Sequence, residues 1–191
     1  MIKLTIPISE EDIRSLKVGD EVSLSGTMVT ARDEAHKLMV EEKPEFIREH
    51  LKESVIYHCG PVVKQAENGE WSFVSAGPTT SAREEPYQSE VICEYKVRGI
   101  IGKGGMGAKT AEGLGKCGAV YFHAVGGAGT LIANSVKKVK EVYKLKEFGT
   151  PEAFWVIEVE NFPVVVTMDS HGNSLHKDIL EKSKKIMEEL L

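Results

Sequence analysis

The scarcities of this chain limit it first. Its 191 residues hold three cysteines, Cys59, Cys93 and Cys117. The number is odd and no two share a C-x-x-C run, so neither a disulfide framework nor a self-contained iron–sulfur site is expected. They read as small, partly buried residues in apolar segments. No apolar stretch approaches the roughly 20 residues of a membrane span. The opening Met-Ile-Lys-Leu-Thr-Ile-Pro is not a basic region followed by an apolar run of signal-peptide length. The expectation is a cytoplasmic protein with no membrane partner. A basic excess is missing too: the formal net charge is −5, which argues against a general nucleic-acid binder. Repeats, low-complexity tracts and linkers are absent, so residues 1–191 are expected to form one domain. What the chain does have, 28% charged and 41% hydrophobic residues, is the balance of a soluble globular protein large enough to bury a core.

Periodicity gives a coarse order of elements. Ile2 to Ile6 alternates as a short strand, and Ser9-Glu10-Glu11-Asp12 opens a short helix ending near Lys17. Glu21 to Val29 alternates with period two and predicts a strand. Ala31 to Val40 and Pro44 to Leu51 read as helices, and Val55 to Cys59 as a short apolar strand. Pro61 to Gln65 and Glu70 to Val74 flank Asn68-Gly69, a hairpin signal. Beyond Arg83 the chain predicts a helix near 87–95, a strand over Val97 to Ile101, a helix over Ala108 to Leu114 and a strand over Ala119 to Phe122. A helix over Gly127 to Val136 follows. Phe154 to Val159 and Val164 to Met168 read as two strands separated by Asn161-Phe162-Pro163. Asn173 is expected to cap a last helix with Leu175, Ile179, Ile186 and Leu190 on one face. These elements predict a mixed α/β domain with a β-rich layer.

The segment with the densest chemistry is Gly77-Pro78-Thr79-Thr80-Ser81-Ala82-Arg83. Hydroxyls beside a fixed cation on a Gly-Pro turn make a compact receptor for a carboxylate or phosphate. Helix capping alone would use only one of those hydroxyls. Gly102-Lys103-Gly104-Gly105-Met106-Gly107 matches G-x-G-x-x-G between a strand and a helix. No acidic residue follows where a dinucleotide fingerprint needs one, which weakens a nucleotide-binding oxidoreductase. The turn still offers backbone N–H groups and Lys103 to an anion. Arg32, at the end of a strand, either orients a carboxylate or pairs with Asp33 or Glu34. His36 shares its helix face and reads as a surface or packing residue. His58 is an acid/base candidate or a satisfied core histidine, and His123 ends a strand where α/β ligand sites tend to lie. Asp169-Ser170-His171 is not a hydrolase triad, since triad members converge from separated segments and no G-x-S-x-G elbow is present. Arg32, Arg83 and Lys103, each beside Gly, Ser or Thr at an element end in an acidic chain, suit a small dianion.

Ser25 to His36, Tyr57 to Pro61, Gly77 to Arg83, Gly102 to Met106, Tyr121 to Ala128 and Phe162 to Asn173 follow in order over nearly the whole chain. Together they resemble the β subunit of iron–sulfur-dependent (class I) fumarate hydratase, which is also the C-terminal domain of the single-chain class I enzymes. The L-tartrate dehydratase β subunit is closely similar. The resemblance implies a swivelling β/β/α domain, a mixed sheet with flanking helices. It implies a hetero-oligomer with an α subunit that carries a [4Fe–4S] cluster on its own cysteines, with self-association open to the isolated chain. It also implies reversible dehydration of malate to fumarate, the open iron of the cluster serving as Lewis acid. Thr79 matches the family's base. Arg32, Arg83 and Lys103 match positions that hold the substrate carboxylates, and Thr80 and Ser81 are expected to line the site. Malate and tartrate stay unresolved. A stand-alone dicarboxylate-binding regulatory module is the alternative outside catalysis.

Overall fold

The computed structural model describes residues 1–190. It runs β1 (Ile2–Ile6), α1 (Glu10–Ser15), β2 (Glu21–Thr30), α2 (Asp33–Glu41), a 3-10 turn (Glu45–Ile47) leading into α3 (Arg48–Leu51), and β3 (Val55–Tyr57). The hairpin β4 (Val62–Gln65) and β5 (Trp71–Ser75) comes next, then a 3-10 turn (Ser81–Arg83), α4 (Glu85–Tyr95), β6 (Gly99–Gly102), α5 (Ala108–Cys117) and β7 (Val120–His123). The chain ends with α6 (Gly129–Ala133), β8 (Val136–Tyr143), α7 (Leu145–Phe148), β9 (Phe154–Met168) and α8 (Leu175–Leu190). Among the described residues, no helix is long and apolar enough to cross a membrane.

Seven strands form one mixed sheet in the order β1-β2-β3-β6-β7-β9-β8, and a further pairing of β2 with β9 closes it on itself. β2, β3, β6 and β7 run parallel, while β9 returns antiparallel to both β2 and β7. The result is a ring of β2, β3, β6, β7 and β9, from which β1 and β8 extend. Alternate residues of these strands enter two different cores. Met28, Val55, Tyr57, Ile101, Val120, Phe122, Trp155 and Ile157 fill the ring. Val29, Ile56, Ile100, Tyr121 and Val156 point outward and pack beneath Met39 of α2, Leu51 of α3, Val91 and Ile92 of α4 and Leu114 of α5. Strands buried on both faces read as unbroken apolar runs, which is why β3, β6 and β7 are legible in the sequence. The mixed sheet with flanking helices is the expected fold class.

Five details depart from the sequence reading. Val136 does not end a helix: α6 stops at Ala133 and Val136 opens β8. β8 shifts register against β9 between Val136 and Lys138 and again between Val139 and Glu141. Each β-bulge absorbs one residue, so Val136, Val139 and Val142, three apart, keep one face toward the core. The two strands expected around Asn161-Phe162-Pro163 are one continuous strand, β9. Asn161 takes a positive φ of 53° and donates its N–H to Ser25 Oγ at 3.0 Å, so the ladder passes through the expected break. Asn173 does not cap α8. Its amide bonds Asp169, and Ser174 Oγ accepts the N–H of Lys177 at 3.3 Å instead. The apolar face of α8 is exposed rather than packed, with Ile179 at 56% and Leu190 at 81%. Finally, Cys93 and Cys117 form a disulfide between α4 and α5. Helix packing brings their Cα atoms to 5.4 Å, a proximity that sequence spacing cannot show.

Candidate active site

The carboxyl ends of the parallel strands β2, β3, β6 and β7 share one edge of the sheet, the edge where open α/β folds take ligands. Arg32 follows β2, His58 follows β3, Lys103 follows β6 and His123 ends β7. The Gly77–Arg83 segment is laced onto this edge by its backbone. Thr79 N–H donates to the His58 carbonyl at 2.7 Å, Lys103 N–H to the Thr79 carbonyl at 3.2 Å, and Ser81 N–H to the Lys103 carbonyl at 3.1 Å. Thr80 and Lys103 form a parallel bridge. The segment acts as one more short strand beside the end of β6. Such close approach needs glycine at position 102, where a Cβ would stand 1.9 Å from Ser81 Oγ.

The structure sorts the expected site residues into two sets. Thr79 is half-buried, while Thr80 and Arg83 are exposed and Lys103 is half-buried beside them. Ser81 does not line this surface. It is fully buried, and its hydroxyl lies 2.8 Å from both His58 Nδ1 and Tyr121 OH. Arg32 is half-buried, with Nε 3.2 Å from Glu152 Oε1, so its partner is neither Asp33 nor Glu34. Asp33 reaches Arg83 instead. The start of α2, the turn at 81–83 and the loop before β9 therefore meet in one cluster of guanidiniums and carboxylates. Burial pushes the Glu152 carboxyl above the usual carboxylate range, against the opposing pull of Arg32.

Behind the loop lies a buried polar group that the sequence does not announce. His58 is fully buried and its Nε2 lies 2.8 Å from Gln88 Oε1. The amide oxygen can only accept, so Nε2 carries the proton and Nδ1 accepts the Ser81 hydroxyl. Ser81 in turn accepts from Tyr121. His36 Nδ1 donates to the Arg32 carbonyl at 2.7 Å, and its ring meets the His58 ring edge-on at 5.0 Å. Both histidines are neutral. Burial lowers His36 to about 4 and holds His58 well below the ordinary range. His58 is thus the satisfied core histidine of the two readings, and His36 is a packing residue. Together they bind the carbonyl before α2 and the Thr79–Arg83 loop into one rigid wall.

The glycine-rich turn does not offer a phosphate cradle. Glu85 occupies the start of α5, accepting Gly107 N–H at 2.7 Å, Thr110 N–H at 3.2 Å and the Thr110 hydroxyl at 2.7 Å. The charge that favours a helix N-terminus is already supplied from within. Asp169 is likewise structural, accepting N–H groups from Val18, His171 and Asn173.

At the carboxyl ends of the parallel strands this α/β ring thus gathers Arg32 and Lys103, with the hydroxyls of Thr79 and Thr80 and the Arg83 guanidinium on the segment laced beside them. The chain belongs to the fumarase C-terminus family, whose profile matches residues 1–179. It is 50% identical over 183 residues to the "Putative fumarate hydratase class I" of Geobacillus stearothermophilus, spanning 96% of this chain and 35% of that protein. It is 45% identical to the "Putative L(+)-tartrate dehydratase subunit beta" of Methanocaldococcus jannaschii, over 96% of this chain and 95% of the relative. The "L(+)-tartrate dehydratase subunit beta" of Escherichia coli K12 is 40% identical, over 98% and 94%.

Proposed function

We propose that this chain is the β half of a hydro-lyase that removes water from a four-carbon hydroxy-dicarboxylate, with (S)-malate and fumarate as the pair. The observation that carries the reading is the lacing of Thr79 and Lys103 onto one edge with Arg32 and Arg83 close by. Arg32, Arg83 and Lys103 hold the two carboxylates, and forked guanidiniums fix their planes. Thr79 takes the proton from the carbon next to a carboxylate. A threonine hydroxyl ionises only where nearby cations stabilise its alkoxide, and Lys103, hydrogen-bonded through its backbone to Thr79, is the nearest such residue in the ladder. Thr80 borders the bound acid from the exposed side.

The [4Fe–4S] cluster of this reading belongs to an α partner. The cysteines of this chain do not fit it: Cys93 and Cys117 are joined to each other, and burial keeps the enclosed Cys59 thiol protonated, its pKa pushed up to about 12. Departure of the hydroxyl is therefore assigned to the partner, and the role of this chain ends with binding, orientation and the proton at Thr79. L-tartrate is the second reading, favoured by the names of two of the relatives above.

The test is co-expression with the α subunit under anaerobic conditions and assay of both acids. Dehydration of (S)-malate or L-tartrate by the pair, and by neither subunit alone, supports the reading and selects the substrate. Full turnover by the isolated chain overturns it. Dicarboxylate binding by the isolated chain, with no turnover by the pair, favours a regulatory module.

A further inference from the structure

Glu84 takes no part in the carboxylate clamp described above, yet it is fully buried at its back. Neither of its oxygens has a hydrogen-bond partner among the described residues. Its Oε2 lies 3.9 Å from His58 Nδ1, but that nitrogen carries no proton, because Nε2 holds it and the Ser81 hydroxyl fills the Nδ1 lone pair. A buried carboxylate with no donor from another residue, and only its own backbone N–H to favour the charge, is costly, and the neutral acid is the form such a site tolerates. The groups that act on Glu84 are Arg32 and Asp33 at the start of α2, Arg83 in its own segment, Tyr121 on β7 and His58 after β3, with His36 of α2 behind His58. Arg32 and Arg83 already face Glu152 and Asp33. An ionised Glu84 is a third carboxylate around two guanidiniums, before any substrate arrives.

We propose that dicarboxylate binding at Arg32 and Arg83 is coupled to proton uptake by Glu84, so that the clamp closes on its dianion only with a neutral carboxyl behind it. The proposal rests on the dicarboxylate assignment above and adds a positioning residue to it. Burial, the first cause, raises the Glu84 carboxyl to about 7, with Asp33 adding to the rise while the Glu84 backbone N–H and the two guanidiniums oppose it. A bound dianion raises it further. Below neutrality Glu84 already holds its proton and binding takes up none. Above neutrality binding must bring the proton in, and affinity falls by up to about tenfold per pH unit. The histidines and Tyr121 stay neutral through this window, since burial lowers the first two and raises the third. Glu152, also raised by burial, is the competing proton acceptor and supplies the control.

The experiment is calorimetry of (S)-malate on the chain assembled with its partner, in buffers of different ionisation enthalpy near pH 6 and near pH 8. The wild-type protein should take up roughly one proton per malate near pH 8 and almost none near pH 6. Glu84→Gln should take up none and bind with nearly pH-independent affinity, while Glu152→Gln should keep the uptake. Infrared difference spectra of the wild type provide a check that needs no variant: malate added near pH 8 should restore the carboxylic-acid carbonyl band. Uptake that survives in Glu84→Gln, or that vanishes in Glu152→Gln, overturns the proposal, as does the absence of that band. If malate binds and the proton follows Glu84 but the pair dehydrates neither acid, the coupling stands and the proposed function falls. If malate does not bind at all, both fall.

Discussion

The two faces of the Thr79–Glu84 segment make opposite demands on similar side chains. On the outward face Thr80 and Arg83 stand in solvent, and Thr79, just before them, is half-exposed. On the inward face Ser81 and Glu84 are fully buried, the hydroxyl gripped by His58 and Tyr121 and the carboxyl left without a donor from any other described residue. Thr80 and Ser81 are neighbours with the same chemical group, yet one is available to a ligand and the other holds the loop in place. The difference teaches that the rigidity a clamp requires is supplied from behind, by residues that touch no substrate.

The largest expected effect tests the outward face. In the assembled enzyme Thr79→Ala should lower kcat by about 10²–10⁴-fold with little change in KM, the signature of a lost proton-transfer group. A variant that keeps kcat and raises KM instead would make Thr79 a binding residue. The next effect tests the inward face. Ser81→Ala leaves His58 Nδ1 and the Tyr121 hydroxyl buried without their partner, which should cost about 1–3 kcal/mol of stability. Thermal denaturation reads this as a fall of several degrees in Tm, and a variant with unchanged Tm would mean that the loop is not held by this hydroxyl.

Arg83→Lys comes third. Lysine keeps the charge but not the planar fork, and Arg83 is exposed and paired with Asp33 across the loop. A point charge can satisfy Asp33, but it cannot fix the plane of a carboxylate, so KM for the dicarboxylate should rise about tenfold while kcat changes little. Equal losses in kcat and kcat/KM would move Arg83 from binding to the transition state.

How much of this was legible depends on the range of the information. β3, β6 and β7 are visible because apolar runs such as Gly99-Ile100-Ile101 sit between helices on one side and the ring on the other. β8 is hidden because its two bulges turn a strand into a three-residue repeat; both halves of β9 are visible, and only their continuity is hidden, because Pro163 ordinarily ends a strand. The Gly77–Arg83 segment reads as an anion receptor from composition alone, since that property is local. Which of its hydroxyls faces out is not local. It follows from the contact between Gly102 and Ser81 and from His58, placed by a different strand. Asp33 was a candidate partner of Arg32, and the fold gives it to Arg83, because Glu152, more than a hundred residues away, reaches Arg32 first. Glu84 and Gln88 carry no signal in the sequence, because a glutamate or glutamine at the start of a helix is usually solvated.

The smallest expected effect is the sharpest test of the comparison. Thr80 is exposed, and its link to the rest of the edge is the backbone bridge with Lys103, which alanine preserves. Thr80→Ala should therefore leave Tm within about one degree of the wild type, since exposed substitutions away from special features stay within ~0.5 kcal/mol. If its hydroxyl borders the bound acid without bonding it, KM should also move by less than about threefold. Set beside Ser81→Ala, this gives two deletions of a hydroxyl at adjacent positions, the outer one taking the γ-methyl with it, with opposite readouts, Tm for the inner and neither parameter for the outer. A large rise in KM for Thr80→Ala would make that hydroxyl a direct substrate contact and turn the outward face from a clamp of cations into one of cations and hydroxyls. A large fall in Tm would mean that Thr80 also holds the loop, and the division between the two faces would fail.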